Sequence, residues 1–440
     1  MRLNITANGV RVGALEATPN GPFILYDEDW RRSREAFPIS LTIPLTVLDA
    51  GPETVMPWLM NLLPEGEPLR AMTRALGVAT EDIMGLIAQA GRDLAGALTI
   101  VDAPSGGEPA YLPIDNEADL ERIISDLPAK PFLVGDDGVS MSLAGAQEKL
   151  PLALIDGQLC VPINGAPSLH ILKPDNPRLY SSVQNEAFCM VLARRCGLPV
   201  APVTTGVAGA RSYLLIDRYD RIHDGVQSRR LHQEDFCQAL SKPPAAKYEH
   251  NRSGIRGPTL ADMFGLVRTH MTARDITRLL DAVIFNIAIG NVDSHAKNYA
   301  ILLTPGGAEL APLYDLMSGL AWPNITQNHA QDVGGQRRGR HIYGRHWRRM
   351  AEACGLSATA TVRRVGQITD RILAELPVAL AEVAAMPAGP GDMLNVFAAE
   401  IITRARTVGN NSRIDGDAVP DDAPTPEFGA SKYDQDQRAG

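Results

Sequence analysis

The stretch Asn291-Val-Asp-Ser-His-Ala-Lys-Asn298 places an acid, a base, a cation and two amides within eight residues, between two apolar segments. Such a cluster is costly to bury for packing alone, because each polar group loses its contact with water. Upstream, apolar residues recur at three- and four-residue spacing, and Gly290 stands where a helix should end. These apolar residues are Ile276, Leu279, Leu280, Val283 and Ile287. The polar cluster is therefore predicted to lie in the loop that leaves a buried helix.

A β-hairpin is predicted directly after this loop. Its strands are residues 299–304 and 308–313, and Pro305-Gly-Gly307 has the composition of a tight turn. The second strand leads to Tyr314 and Asp315. Helix, loop and hairpin are therefore expected to bring Asp293, Asn298 and Asp315 into one small volume.

These three side chains suit phosphoryl transfer. That reaction needs a carboxylate that orients the attacking hydroxyl, and a carboxylate and an amide oxygen that hold Mg²⁺ on the phosphates. The spacing from Asp293 to Asn298 equals that of the kinase catalytic loop, where Asn follows Asp after five residues. Two other interpretations remain open at this point: Asp293 and His295 as ligands in a metal-dependent phosphoesterase, or a solvated loop without chemistry.

Length and composition limit the class of protein. A chain of 440 residues with 45% apolar and 21% charged residues is expected to form two or three globular units. The N-terminus has no apolar signal core, and no stretch approaches the roughly 18 apolar residues of a membrane helix, which predicts a cytoplasmic protein without a membrane partner. The net charge of -9 argues against indiscriminate nucleic-acid binding. Five scattered cysteines without a CxxC pair argue against disulfides and zinc.

Three further segments precede the loop in the chain. Ser142-Leu-Ala-Gly-Ala-Gln-Glu-Lys149 is a small-residue loop before a strand, where a phosphate could be cradled. Lys173 ends an apolar strand, and Asn185-Glu186 opens the next helix, which is the order of the kinase ion pair. Asp217-Arg-Tyr-Asp-Arg221 follows a buried strand and could meet an adenine edge. Taken singly, each segment is also compatible with an ordinary loop, a strand-edge lysine or a charged strand end.

Taken together and in order, these motifs resemble the HipA family, the serine/threonine-kinase toxins of HipA/HipB toxin–antitoxin systems. Asn61-Leu-Leu-Pro-Glu65 and residues 91–98 are similar to the N-terminal domain of that family, so the resemblance covers about residues 2–400. It implies an α+β fold, with a protein-kinase-like two-lobed core, an N-terminal β-rich plus helical domain and a mostly helical C-terminal lobe.

The resemblance also implies boundaries along the chain. Residues 1–105 would form the N-terminal domain and residues 106–138 a linker or hinge region. Residues 139–408 would form the kinase-like core, with an N-lobe to about 225 and a C-lobe from about 226. Residues 409–440 have an acidic composition rich in Gly, Pro, Ser and Ala, and we expect a disordered tail.

Site residues follow from the resemblance, position by position. Asp293 would be the catalytic base, Asn298 and Asp315 would hold Mg²⁺, and Lys173, in an ion pair with Glu186, would contact the phosphates of ATP. Ser142 would be autophosphorylated, which ejects the adjoining loop and inactivates the kinase. The remaining nucleotide contacts would be the phosphate loop Ala144, Gly145, Ala146, Gln147, Glu148 and Lys149, the adenine-side hinge Asp217, Arg218 and Tyr219, and His295, Ala296, Lys297 and Tyr314.

Partners are implied in the same way. The resemblance implies a HipB-like helix-turn-helix antitoxin, and operator DNA that is reached mainly through this antitoxin. It also implies a protein substrate, such as an aminoacyl-tRNA synthetase of the glutamyl-tRNA synthetase kind. Phosphorylation of that substrate would inhibit translation and promote growth arrest and persistence. Two rival functions stay open: a small-molecule kinase of the aminoglycoside or choline type, and a non-catalytic co-repressor. The arginines at 337, 338, 340, 345, 348 and 349 could serve the second rival or form a solvated face.

Overall fold

The computed structural model describes residues 1–103, 107–223 and 228–414. The expected tail therefore lies largely outside the described residues, and so does residue 106, the first residue of the expected linker. No helix in the described part of the chain is long and apolar enough to cross a membrane. All five cysteines are buried thiols.

The described chain alternates strands and helices, so the predicted α+β class is confirmed. The strands are β1 (Arg2–Ala7), β2 (Val10–Thr18), β3 (Gly21–Tyr26), β4 (Asp49–Ala50), β5 (Leu98–Val101), β6 (Ala110–Pro113), β7 (Leu150–Ile155), β8 (Gln158–Ile163), β9 (His170–Pro174), β10 (Val203–Ala208), β11 (Arg211–Asp217), β12 (Arg221–His223), β13 (Ser228–Arg230), β14 (His232–Asp235), β15 (Ala300–Thr304), β16 (Gly307–Leu310), β17 (Asn328–Val333) and β18 (Gln336–Arg338). The helices are α1 (Glu28–Arg32), α2 (Pro52–Met60), α3 (Gly66–Leu76), α4 (Ile83–Ala90), α5 (Glu117–Asp126), α6 (Ser182–Arg195), α7 (Phe236–Ala239), α8 (Leu260–His270), α9 (Ala273–Ile289), α10 (Gly344–Ala353), α11 (Ala358–Ala384) and α12 (Asp392–Ser412).

Two compact units interleave segments of the chain. The first unit consists of Met1–Asp175, Ala201–Lys247 and Tyr299–Pro312. The second consists of Asn176–Val200, Tyr248–Asn298 and Leu313–Gly440. The domain boundaries expected from the sequence follow chain order, and they stay a prediction.

The first unit is built on antiparallel sheets with separate apolar cores. One five-stranded sheet has the order β4-β3-β2-β1-β5, and its buried face packs with α2 and α4 around Trp58. A six-stranded sheet has the order β10-β11-β9-β7-β8-β6, and its core includes Leu150, Leu172 and Leu215. The expected hairpin forms as β15 and β16 and pairs with β14 in a third sheet.

The second unit is mostly helical. The long helix α11 packs against α6, α9, α10 and α12. Its buried residues recur at three- and four-residue spacing, from Val365 and Ile368 to Ile372 and Leu376, which is the pattern of a core-facing helix. The helix α9, which leads into the polar loop, is buried along the predicted apolar face from Leu279 to Ile287, and Ile276 is half-buried.

Three predicted boundaries differ from the structure. The second hairpin strand ends at Leu310, because Leu313 instead forms a parallel bridge with Val200 and donates its N–H to Pro199 O at 2.8 Å. The helix with Glu186 begins at Ser182 rather than at Asn185. At the C-terminus, α12 continues to Ser412, past the expected start of the tail.

Gly290 provides a direct test of how α9 ends. It has φ +72°, and a Cβ there would lie 2.4 Å from Leu320 Cγ. We therefore expect Gly290→Ala to lower the free energy of unfolding by roughly 2 kcal/mol or more, from backbone strain and steric overlap. Urea unfolding of the variant and the wild type measures this difference in the free energy of unfolding. In Gly265→Ala, inside α8 with nothing within 4 Å of the added methyl group, we expect a gain of about 0.5–1 kcal/mol. Equal effects of the two variants would contradict this explanation.

Candidate active site

In the second unit, the polar loop is fixed by backbone and amide hydrogen bonds where α9 ends. The N–H groups of Gly290 and Asn291 donate to carbonyls of the last turn of α9, which closes the helix with a left-handed residue. The Asn291 side chain is buried, donates to Asn286 Oδ1 at 3.0 Å, and accepts from the Asp293 N–H at 3.1 Å. Asn291 therefore sets the path of the chain up to Asp293.

Asp293 is the exposed residue of this loop. Of residues 291–300, only Asp293 is exposed, and the other nine are buried. The amide group of Asn298 donates to the Asp293 carbonyl at 2.8 Å, and the His295 N–H donates to the same carbonyl at 2.8 Å. The Asp293 carboxylate thus projects from a buried backbone that is held by hydrogen bonds. Because the NH₂ group of Asn298 is bound to the Asp293 carbonyl, the side-chain oxygen of Asn298 is the atom available to a cation.

Tyr248 contacts the Asp293 carboxylate. Its hydroxyl donates a hydrogen bond to Asp293 Oδ1. Its ring meets the ring of His295 edge to face, with centroids 5.0 Å apart. Tyr248 was not among the predicted site residues, and the sequence holds no periodic or spacing signal that connects it to a loop 45 residues later.

Asp315 lies in a strained turn after the hairpin. It has φ +58°, a left-handed conformation that costs energy in residues other than glycine and occurs often at functional sites. On one side, the Tyr314 hydroxyl donates to Lys297 O at 2.6 Å. On the other, Asn185 of α6 exchanges two hydrogen bonds with the backbone of Ser318, at 2.8 and 3.0 Å. The segment with Asp315 is thereby attached to the polar loop and to α6.

His329 of β17 forms a hydrogen bond with the backbone of the polar loop. Its ring is buried, and Nδ1 lies 3.0 Å from Asn291 O, so this nitrogen carries the proton. Burial, and secondly the positive charge of Arg404, lower the pKa of His329 to about 3. His329 is therefore neutral, and it donates to the backbone two residues before Asp293.

The first unit contains Ser142 and the predicted phosphate loop. The Ser142 side chain is fully buried and donates to Leu62 O at 3.0 Å. Gly145, at φ +107°, accepts at its carbonyl from the Glu65 N–H at 3.1 Å, and Lys149 Nζ donates to Ala144 O at 2.6 Å. The loop is thus held on the Asn61–Glu65 segment, and Ser142 can reach a phosphate only if this segment of chain moves.

The predicted lysine and hinge also lie in the first unit. Lys173 is buried on β9, opposite Leu214 of β11. Asp217 is exposed, and His170 Nε2 lies 3.4 Å from its carboxylate; burial lowers the pKa of His170 despite this neighbour. The Tyr219 hydroxyl donates to Gln233 Oε1, and burial raises its pKa well above the usual value. The Arg218 side chain lies inside the unit.

Arg218 belongs to a buried ionic network that the sequence did not predict. Arg218 binds the Asp220 carboxylate with two hydrogen bonds, at 2.9 and 2.7 Å. Arg221 and Arg230 lie 3.0 and 3.1 Å from Asp93 Oδ1. Burial opposes ionisation of Asp93, but the guanidinium groups of Arg221, Arg230 and Arg218 outweigh it and hold the pKa of Asp93 below its usual range. Five charged groups therefore form one ionic network: the carboxylates of Asp93 and Asp220 and the guanidinium groups of Arg218, Arg221 and Arg230.

The arginine-rich stretch is spread over β18, the turn after it and α10. Several of these side chains have local partners: Arg338 donates to Asn328 Oδ1 at 3.3 Å, Arg349 donates to Gly334 O at 3.1 Å, and Arg345 lies 5.8 Å from the Tyr343 ring centroid. These contacts are compatible with a structured surface, and the role of the stretch in DNA binding stays a hypothesis.

The site residues divide between the two units. Asp293, His295, Ala296, Lys297, Asn298, Tyr314, Asp315 and Glu186 lie in the second unit, and Ser142, the 144–149 loop, Lys173 and 217–219 lie in the first. Within the second unit, hydrogen bonds join the polar loop, Tyr314 and α6. The Lys173–Glu186 ion pair joins residues of different units and stays a prediction.

Two family models match most of the chain. The HipA-like C-terminal domain matches residues 141–376, and the HipA N-terminal domain matches residues 3–101. The first match alone covers more than half of the chain. The chain belongs to the HipA family. The resemblance inferred from the motifs is thereby confirmed.

Curated relatives of this HipA family member include proteins named as kinases. Y4mE of Sinorhizobium fredii, whose name proposes kinase activity, is 38% identical over 84% of this chain and 89% of its own. The serine/threonine-protein kinase toxin HipA of Shewanella oneidensis is 30% identical over 88% of this chain and 90% of its own.

A solved structure agrees with the fold of this HipA family member. HipA of Shewanella oneidensis MR-1, solved in complex with HipB and its operator DNA, has a TM-score of 0.81 and 26% identity, covering 93% of this chain and 99% of the other. The HipA-type fold expected from the sequence is confirmed.

Asp93 should be needed for the stability of the first unit. Asp93→Ala would leave the buried Arg218 and Arg221 with one carboxylate fewer, which typically costs about 3–5 kcal/mol. We expect a loss of this size in the free energy of urea unfolding. Asp126→Ala, at an exposed position at the end of α5, should change it by less than about 0.5 kcal/mol. Equal stability of the two variants would show that the network contributes little.

His329 should make stability depend on pH. Its folded pKa of about 3 lies below the unfolded value near 6.5, so its contribution is complete above pH 6.5 and is lost as the pH falls toward 3. In His329→Asn, the amide can replace the Nδ1 donor but does not titrate. The stability lost between pH 7.5 and 5 should then shrink by roughly 1–2 kcal/mol relative to wild type. The control is His270→Asn, at an exposed position, which should lose as much stability between pH 7.5 and 5 as the wild type does. If His329→Asn also lost as much as the wild type, His329 would not be the source of this pH dependence.

Proposed function

We propose that this protein is an ATP-dependent serine/threonine protein kinase that acts as the toxin of a HipA/HipB-type module. One observation carries the proposal: in a loop that is otherwise buried, Asp293 alone is exposed, on a backbone held by Asn291, His295 and Asn298. Burying so many polar groups costs energy, and the arrangement presents one carboxylate in a fixed position. The kinase names of two relatives support the same reaction.

Asp293 would act as the general base. As the acceptor hydroxyl oxygen bonds to the γ-phosphorus and the bond to the leaving oxygen of ADP breaks, the Asp293 carboxylate accepts the proton of the hydroxyl. ADP leaves with the electron pair of the broken bond. Positioning and charge stabilisation account for most of the rate in this class of reaction, so a rigid loop is the expected scaffold.

Asn298 and Asp315 would hold Mg²⁺. An amide oxygen and a carboxylate are hard ligands that suit this ion, and the Asn298 NH₂ group is already bound to the Asp293 carbonyl. When bound, the ion neutralises charge on the β- and γ-phosphates. The left-handed backbone at Asp315 and the Asn185–Ser318 hydrogen bonds would keep the carboxylate in place.

Residues of the first unit would bind ATP. The 144–149 loop and Lys173 would contact the phosphates, and residues 217–219 would contact the adenine through the backbone, because the Arg218 side chain is engaged with Asp220. Of the second unit, His295, Ala296, Lys297 and Tyr314 would complete the nucleotide contacts, and Glu186 would pair with Lys173.

Ser142 would be a self-inhibitory switch. A phosphate adds about -1.5 to -2 charges, which cannot remain where the hydroxyl now donates to Leu62 O in a fully buried position. Phosphorylation would therefore displace the segment and, with it, the adjoining loop. The burial of Ser142 also requires that the segment leaves before it can be modified.

A HipB-like antitoxin, and operator DNA through it, are the proposed partners; the Shewanella oneidensis structure, with HipB and operator DNA, supports this assignment. An aminoacyl-tRNA synthetase, of the glutamyl-tRNA synthetase kind, is the proposed substrate. Phosphoproteomics after a short pulse of expression would identify it, or replace it with another protein.

Asp293→Asn is the central test. We expect this variant to fold and bind Mg-ATP normally, and to transfer labelled γ-phosphate to its own chain and to lysate proteins at least about 10²-fold more slowly, the scale of a lost general base. Mass spectrometry should find phosphate on Ser142 in the wild type. The matched control is Asp370→Asn, an exposed carboxylate on α11, which should remain active.

Two results would overturn the proposal. Near-normal transfer by Asp293→Asn would remove the assignment of the base. Phosphate on kanamycin or choline, with none on protein, would instead favour a small-molecule kinase.

A further inference from the structure

We propose that Tyr248 is a positioning residue for phosphoryl transfer, whose hydroxyl holds the Asp293 carboxylate in its reactive orientation. The proposal rests on the proposed function, because it assigns a role in the reaction of Asp293. It adds a residue from outside the polar loop, on a segment of chain that precedes α8.

The contact is direct and has two parts. The Tyr248 hydroxyl donates to Asp293 Oδ1, and the ring packs edge to face on His295 at 5.0 Å between centroids, with an interplanar angle of 86°. Both contacts are made within the second unit. The ring contact fixes where the phenol points, and the hydroxyl fixes the carboxylate.

Tyr248 is itself well anchored. Asn251 Nδ2 donates to the Tyr248 carbonyl at 2.9 Å and to the Ile255 carbonyl at 3.0 Å, which closes a turn. The next residue, Glu249, donates its N–H to Ala330 O at 3.1 Å, and its carboxylate accepts from the Asp332 N–H at 2.8 Å. Tyr248 is therefore attached to β17, the strand whose His329 also supports Asn291.

Asp293 needs such a partner because only its backbone is fixed by the loop. An exposed carboxylate can rotate about two side-chain bonds, and a catalytic group must stay within a narrow range of orientations to be effective. Each carboxylate oxygen can accept more than one hydrogen bond, so the Tyr248 bond is compatible with an approaching substrate hydroxyl. A donor to a carboxylate also favours its charged form, which is the form that accepts a proton.

Other ionisable groups lie close to this pair. His295 contacts the Tyr248 ring, Lys297 lies in the same loop as Asp293, and Glu249 and His250 follow Tyr248 and contact Asp332. A change from tyrosine to phenylalanine leaves all of them in place. A difference in kcat between wild type and Tyr248→Phe therefore reports on the hydroxyl.

The test compares Tyr248→Phe with wild type in the transfer of labelled γ-phosphate from Mg-ATP to the chain itself. We expect kcat to fall roughly tenfold, the effect of one hydrogen bond to a charged group, with the KM for ATP changed less than about twofold. Tyr180→Phe is the matched control: its hydroxyl, in the same unit, lies 3.3 Å from Ala321 O, and the variant should behave as wild type.

Two further measurements separate this proposal from the proposed function. In the Asp293→Asn background, Tyr248→Phe should cause no further loss of kcat. A further tenfold loss of kcat would show that Tyr248 acts on another group, and would overturn the positioning role while Asp293 remains the base. Independently of activity, the ¹³C carboxyl resonance of Asp293, assigned by its loss in Asp293→Asn, should change its chemical shift at a fixed neutral pH in Tyr248→Phe, because the carboxylate loses its hydrogen-bond donor. An unchanged resonance, or a kcat of Tyr248→Phe equal to or above that of wild type, would also overturn the proposal.

Discussion

The rigid turn from α9 into the polar loop is the constraint on which the candidate site depends. Gly290 takes the left-handed conformation that ends the helix, and Asn291 then uses its amide to fix both the helix end and the Asp293 N–H. With the rest of residues 291–300 buried, the loop can present Asp293 in only one way. This arrangement gives the Asp293 carboxylate a defined position. It also costs free energy, because several polar neighbours of Asp293 are buried away from water.

Support for this loop comes from distant parts of the second unit. β17 contributes His329, which is kept neutral by burial and by Arg404 and donates to Asn291, and the segment attached to β17 contributes Tyr248. α6 contributes Asn185, which holds the backbone after Asp315. His329 and Asn185 form hydrogen bonds with buried backbone groups of Asn291 and Ser318, so stability and the geometry of the site depend on the same contacts.

In the first unit, Asp93 has a comparable role. Its backbone exchanges hydrogen bonds with the segment that ends at Ser142. Its carboxylate accepts hydrogen bonds from Arg221 and Ser168 and forms an ion pair with Arg230. Arg218 of the predicted adenine-side hinge also lies 3.6 Å from this carboxylate, so Asp93 connects that hinge to the segment of Ser142. Because removal of a single charge would leave the others unpaired, the network is expected to form or break as a whole.

The sequence determined the type of each local element around the site. The apolar periodicity of α9, the stop at Gly290, the turn at Pro305 and the ordered motifs of the HipA family are all signals of short range, and the helix, the hairpin and the family followed from them. Tertiary structure decided what touches Asp293 and Asp93. Tyr248 contacts Asp293 from 45 residues away, and His329 contacts Asn291 from 38 residues away. Arg218 binds Asp220 in the interior, although the sequence Asp217–Arg221 is also compatible with a charged strand end. Such contacts leave no pattern along the chain, because they depend on how separate elements pack and on which buried charges must find partners.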